Sequence, residues 1–229
     1  MRWLAALAAA TLAAGPLAAQ EEPDPKAHPA EEDAKLDKML ERAERDRGAA
    51  RTDKLSRVAL EDWAGCLARK NVGEATRVLK MDFTSPTYDR ALKMLSEEVR
   101  ACIGFRGTLR AGGLLFAGEM AEALLESDGI PIGTALARAA ASPATKGFSF
   151  TDKVAICVVR SVPGDVATLF ETKRDSAEEA AAIDALATPM GLCAQAAQAN
   201  KPLSVSPAGL RAMLATAAFR SIRSAGTTS

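Results

Sequence analysis

Residues 153–164 read KVAICVVRSVPG, and 91 positions earlier residues 62–73 read DWAGCLARKNVG. The two stretches hold an Ala, a Cys, an Arg and a Gly in one register: Ala64 and Ala155, Cys66 and Cys157, Arg69 and Arg160, Gly73 and Gly164. At the same offset Ser85 meets Ser176, Ala91 meets Ala182, Leu95 meets Leu186 and Cys102 meets Cys193. The four cysteines therefore form two pairs with one spacing. Past the second Cys the offset becomes 94, so that Phe116 meets Leu210, Met120 meets Leu214 and Ser127 meets Ser221. Self-similarity at a fixed spacing marks a duplicated supersecondary unit, here residues 55–127 and 146–222.

Each copy reads as four helices, which makes the expected fold all-α: two tandem four-helix repeats, with strand content near zero. In the first helix Leu55, Val58, Ala59, Trp63, Cys66 and Leu67 recur at helical spacing, as do Phe150, Val154, Cys157 and Val158. Gly73 and Gly164 mark the turn into a short second helix. The third starts by different chemistry in each copy. Ser85-Pro86 offers an N-cap followed by Pro at the first helical position. Ser176 to Glu179 is a capping box, whose hydroxyl and carboxylate satisfy free backbone N–H groups. Pro189 and Gly191 are expected to break or kink that second-copy helix just before Cys193. The stretches TLRA and PLSV lead into the last helix, lined by Phe116, Met120 and Leu124 or by Leu210, Leu214 and Ala217. Ser127-Asp128-Gly129 closes the first copy with a glycine suited to a left-handed cap. Residues 128–145 connect the copies through a helix, Ile132 to Ala141, and a loop. Residues 223–229 are expected to be a disordered tail.

The start of the chain, MRWLAALAAATLAAGPLAAQEEPDP, has the layout of a secretory signal. Arg2 supplies the positive region, Trp3 to Ala14 an uncharged apolar core, and Gly15-Pro16 a break before small residues. The expectation is a signal peptide over 1–19, cut near Ala19 or Gln20, and a periplasmic or secreted product of a bacterium. As an uncleaved anchor the segment is short and interrupted by Pro16. Residues 20–30 are rich in Pro and Glu, with little to bury, and read as a disordered leader. Residues 31–54 read as a charged helical segment with the pairs Glu31–Lys35 and Glu41–Arg45 at i,i+4.

Removing the signal takes away one basic residue and leaves 28 Lys and Arg against 29 Asp and Glu. Such a balance exerts no long-range pull on nucleic acid, and no later apolar run approaches membrane-spanning length.

Structural disulfides suit four cysteines on apolar helix faces of an exported chain. Metal sites and redox motifs call for shorter Cys spacings, and the sole His, His28, lies in the leader. Four cysteines allow three pairings. Bonds within each copy, Cys66 to Cys102 and Cys157 to Cys193, are favoured because each then staples the first helix to the third. Pairings that cross between copies satisfy the same symmetry.

Chemistry is harder to find. No nucleophile elbow, phosphate loop or dinucleotide fingerprint occurs, and no histidine is left to serve a relay. No cofactor is expected, and the chain reads as no enzyme. Glu61-Asp62 and Glu97-Glu98 offer carboxylate pairs but fall on polar helix faces, where solvation explains them better. Arg69 and Arg160 each follow the leading Cys by one turn. They could grip an anion. Complementing a helix C-terminus while covering apolar surface is the plainer role.

Residues 157–193, CVVRSVPGDVATLFETKRDSAEEAAAIDALATPMGLC, resemble a repeat found in small exported bacterial proteins. Its pattern, Cys-Val-Val-Arg, then Ser-x-Glu-Glu-Ala, then Cys, falls here on Cys157 to Arg160, Ser176 to Ala180 and Cys193. The first copy departs from it, with Cys-Leu-Ala-Arg at 66–69 and Ser-Pro-Thr-Tyr at 85–88. The resemblance spans about two thirds of the chain and implies no activity, since that family has none assigned. The expected role is thus a non-enzymatic one in the cell envelope, binding or structural, with a partner there. The alternative is a binder of small anionic molecules, or a hydrolase, using the cleft between the copies.

Overall fold

Helix follows helix along this chain because its apolar residues recur at three- and four-residue spacing between serine caps and Gly or Pro breaks. The structure, a computed structural model, describes residues 54–98, 102, 112–197, 203 and 205–226. Among these residues every regular element is helical and none is a strand. The signal segment, the leader and nearly all of the charged segment lie outside the described residues, as does most of TLRA and PLSV. Contacts divide the chain between Gly48 and Ala49, and all the described residues belong to the second unit.

The first half comprises α1 (residues 54–70), α2 (Val72–Leu79), α3 (Pro86–Glu98) and α4 (Gly113–Ser127). The linking helix α5 (Ile132–Ala141) follows. The second half comprises α6 (Phe150–Ser161), α7 (Pro163–Glu171), α8 (Ala177–Ala185), α9 (Ala187–Ala196) and α10 (Pro207–Ala225).

The same local geometry recurs 91 residues apart. At the α1–α2 bend Asn71 has φ −127°, ψ 47°, and at the α6–α7 bend Val162 has φ −135°, ψ 59°. Asn71 N donates to Leu67 O at 3.0 Å, as Val162 N does to Val158 O at 3.0 Å. Ser85 Oγ accepts from Tyr88 N at 3.2 Å, and Ser176 Oγ from Glu179 N at 3.1 Å. The caps are thus where the sequence puts them. Gly129, at φ +68°, ends α4 in the left-handed region that favours glycine. The box at α8 is stretched by one residue, because the Glu179 carboxylate accepts from Asp175 N at 2.8 Å.

Both disulfides stay within their half. Cys66 joins Cys102 and Cys157 joins Cys193, with Cα atoms 5.7 and 5.8 Å apart. Those separations are the common ones for an S–S bridge. They point to an oxidising, extracytoplasmic compartment. No helix among the described residues is long and apolar enough to cross a membrane.

Three expectations need correction. The buried face of α1 runs through Leu60, Ala64, Leu67 and Ala68, while Leu55 and Val58 are exposed. The helix is turned because Arg57 points inward to carboxylates of α8 and the turn before it. Phe150 is exposed for its part, with Val154, Ala155, Val158 and Val159 forming the covered face of α6. The helix break in the second half lies between Ala185 and Ala187, well before Cys193, and Gly191 sits inside α9. A proline ring clashes with the carbonyl four residues earlier, so Pro189 ends α8 at Ala185 and sits in the first turn of α9. Finally, α10 runs through Arg223 to Ala225, beyond the expected start of the tail.

The two halves meet most extensively along α4 and α10. A Cβ placed on Gly118 would fall 2.5 Å from the Cα of Ala212. These residues are equivalent at the 94-residue offset, and only the missing Cβ lets the two backbones touch.

Candidate functional site

On one side of that crossing lies a cluster of charges that sequence reasoning did not assemble. Helices α4 and α10 are covered nearly all round over their middle turns, so a charge there is buried and must be paired. Arg211 of α10 and Glu122 of α4 are each 2 % exposed. Arg211 Nε donates to both Glu122 oxygens, at 3.2 and 3.0 Å, and Nη2 also reaches Oε1. Its Nη1 donates to Glu179 Oε1 at 3.0 Å and to Thr172 Oγ1 at 3.1 Å. The backbone carbonyls of Phe170 and Thr172 accept from Nη2 at 3.2 and 3.1 Å.

Two further arginines close the cluster. Arg174, in the turn before α8, meets Glu61 at 2.6 Å, Glu119, and Glu122 at 3.3 Å. Arg57 of α1 meets Asp175 and, through both terminal nitrogens at 3.1 Å, Glu179. The knot ties α1 and α4 of the first half to α8, α10 and the α7–α8 turn of the second.

Burial works against the charge of Glu179, but hydrogen bonds from Arg57, Asp175 N and Arg211 outweigh it and hold its pKa below the usual carboxylate value. For Glu119 burial wins over Arg174, and the pKa is raised. Glu126, exposed beside the knot, is also raised, first by partial desolvation and then by the charge of Glu122. Every carboxylate in contact with an arginine here serves to lock helices.

A second buried pair, Arg220 with Asp152, joins α10 to α6. Asp152 Oδ2 accepts from Phe148 N at 2.8 Å, and its own N–H donates to the Ser149 cap at 3.2 Å. The Arg220 guanidinium lies 5.8 Å from the Phe83 ring centre and 4.9 Å from that of Phe148. Beside this pair a cavity of about 490 Å³ opens between α3, α4, α6 and α10. Among its lining residues are Tyr88, Leu114, Ala117, Val205 and Met213, with Asp89 contributing from α3. Burial raises the Tyr88 phenol to about 12.

The residues singled out from sequence are not brought together. Arg160 Nη1 donates to Ala139 O at 3.0 Å and Ser142 O at 2.7 Å, so it caps the C-terminus of α5 and not that of its own helix. Arg69 is exposed and lies along its own helix over Gly65. The two guanidinium groups share no partner among the described residues. Of the carboxylate pairs, Asp62 and Glu97 are exposed, whereas Glu61 belongs to the knot. The legible signal for the rest was charge inside helices otherwise apolar all round, at Glu119, Glu122 and Arg211.

Among the described residues no group of three or more His, Cys, Asp and Glu is placed to hold a metal ion. Comparison of the chain with protein-family models, curated proteins and solved structures finds no match.

Proposed function

We propose that this chain is a periplasmic or secreted binding protein of the bacterial envelope, a rigid helical frame and not a catalyst. The observation that carries the reading is the pairing of all four cysteines into two bridges, each at the same place in its half. Such bridges persist in oxidising compartments. The signal-like start of the chain and the resemblance of residues 157–193 to a repeat of exported proteins support the same address. The knot supports the role of a frame, since it spends its buried charges on joining helices. The recurrence of bends, caps and bridges at one offset supports descent of both halves from one duplicated module.

Export is tested by fusing residues 1–30 to alkaline phosphatase lacking its own signal, which is active only once oxidised outside the cytoplasm. The expected result is an active fusion whose mature N-terminus lies at Gln20 or nearby. An inactive, uncleaved fusion would overturn the reading, as would free thiols in the protein recovered from cells.

A further inference from the structure

We propose that the cavity between α3, α4, α6 and α10 is a binding site for a small uncharged, apolar molecule that carries a hydrogen-bond acceptor. This rests on the reading of the chain as a binding protein and gives that role a seat.

The first support comes from where the cavity lies. At the offsets of 91 and 94 six of its twelve lining residues correspond to members of the ionic knot on the other side of the α4–α10 crossing. Phe83 stands where the knot has Arg174, and Tyr88 where it has Glu179. Ala117 takes the place of Arg211, and Thr216 that of Glu122. Met213 replaces Glu119, and Asp152 replaces Glu61. Even the flanks match, with Phe148 for Arg57 and Arg220 for Glu126. The contact between Gly118 and Ala212, themselves equivalent, is what a twofold relation between the halves requires at its axis.

One frame thus holds two equivalent compartments with opposite contents. In the knot the long Arg211 side chain lies under the crossing and donates hydrogen bonds to Glu122, Glu179 and the end of α7. In its counterpart a methyl group stands at that position, and the shorter Thr216 faces it. The space is a half-open cleft of about 490 Å³, within the size range of small-molecule sites.

Its polarity selects the ligand. Tyr88 lines the cavity at 8 % exposure and offers its phenol as a donor to an acceptor on the ligand. The raised phenol pKa keeps it protonated at any physiological pH. Charge is settled by the neighbours. Arg220 already neutralises Asp152 and covers the rings of Phe83 and Phe148, so the interior presents no unpaired cation to a carboxylate. Asp89, exposed at the cavity, disfavours anions further. The remaining wall is mostly apolar, and the hydroxyls of Thr151 and Thr216 are paired with Ser149 and with Met213 O.

The test titrates the oxidised full-length mature protein with three probes of one shape: 2-acetonaphthone, 2-ethylnaphthalene and 2-naphthoate. The ketone should bind saturably, the hydrocarbon about five- to tenfold more weakly, and the carboxylate not measurably; one hydrogen bond accounts for the first difference. Tyr88→Phe should bring the ketone down to the hydrocarbon and leave the hydrocarbon unchanged. Ala117→Leu should abolish binding of both while far-UV circular dichroism and both disulfides stay intact. Should Ala117→Leu fail to fold, Leu114→Glu at a half-exposed position of the wall should abolish it instead. Absence of saturable binding by any probe would overturn the proposal. So would binding indifferent to Leu114→Glu and Ala117→Leu, or a preference for the carboxylate. The export fusion reads the compartment separately, so failure here is distinct from failure there.

Discussion

Glu126 sits exposed at the end of α4 near Glu122 and Glu61, and among the described residues no arginine forms an ion pair with it. Its raised pKa, like that of Glu119, means that the folded chain holds a proton the unfolded chain would release. Stability contributed this way falls as pH rises from the ordinary Glu range through the raised value. Glu179 has the opposite sign: its lowered pKa contributes stability above the ordinary range, lost as pH drops through the lowered value. Thermal melts from pH 7 downwards should therefore first rise slightly and then collapse in strong acid. Glu126→Gln should raise Tm at pH 7 by about 1–2 °C and flatten that rise. Arg211→Met tests the knot itself. It takes one of two arginine partners from Glu122, which keeps Arg174, and from Glu179, which keeps Arg57, so the loss should stay at or below the about 3–5 kcal/mol of breaking a buried pair outright. Urea unfolding at pH 7 should show that loss.

Between elements, the approach of α4 to α10 depends on one absent atom. Gly118→Ala gains about 1 kcal/mol of helix propensity but pushes a Cβ into the backbone of Ala212, which no rotamer can relieve. Overpacking of that kind costs up to about 3 kcal/mol, so the net loss should be about 2 kcal/mol by urea unfolding. Gly191→Ala in α9 is the control. Nothing lies within 4 Å of the added Cβ, and a gain of about 0.5–1 kcal/mol is expected. The helices themselves were legible because their signals are local. Ser85, Ser176 and Gly129 act within four residues, and periodicity marks a helix wherever it lies. The sequence showed the breaker Pro189 but not that its clash would act four residues upstream, at Ala185. The facing of α1 was misread because Val58 looked apolar enough to be inside. Arg57 overrode it through partners 118 and 122 residues away.

At the scale of the molecule, two equal clamps hold thin, alanine-rich halves. Each bridge closes a loop of 36 residues, which constrains the unfolded chain by about 4 kcal/mol in the entropy model. Replacing Cys157 and Cys193 by alanine should lower the unfolding free energy by about that amount, and replacing Cys66 and Cys102 should do the same. The variant without either bridge should lose its cooperative transition at 37 °C, measured by urea titration and near-UV circular dichroism. Equal effects of the two pairs would agree with their equivalent places. A much smaller effect in one half would show that its thiols stay close when reduced.

The sequence by itself determined that the chain is helical, where most helices start and stop, and which spacing of cysteines recurs, because caps, periods and counts are properties of neighbouring residues. Only the tertiary structure decided that Arg211 meets Glu122 across 89 residues, that Arg160 caps α5, and that one side of the α4–α10 crossing is tied with charge while the other is open. Those outcomes turn on how two helices cross. A buried charge declares that it needs a partner, but its partner is chosen by the crossing, which no local pattern encodes.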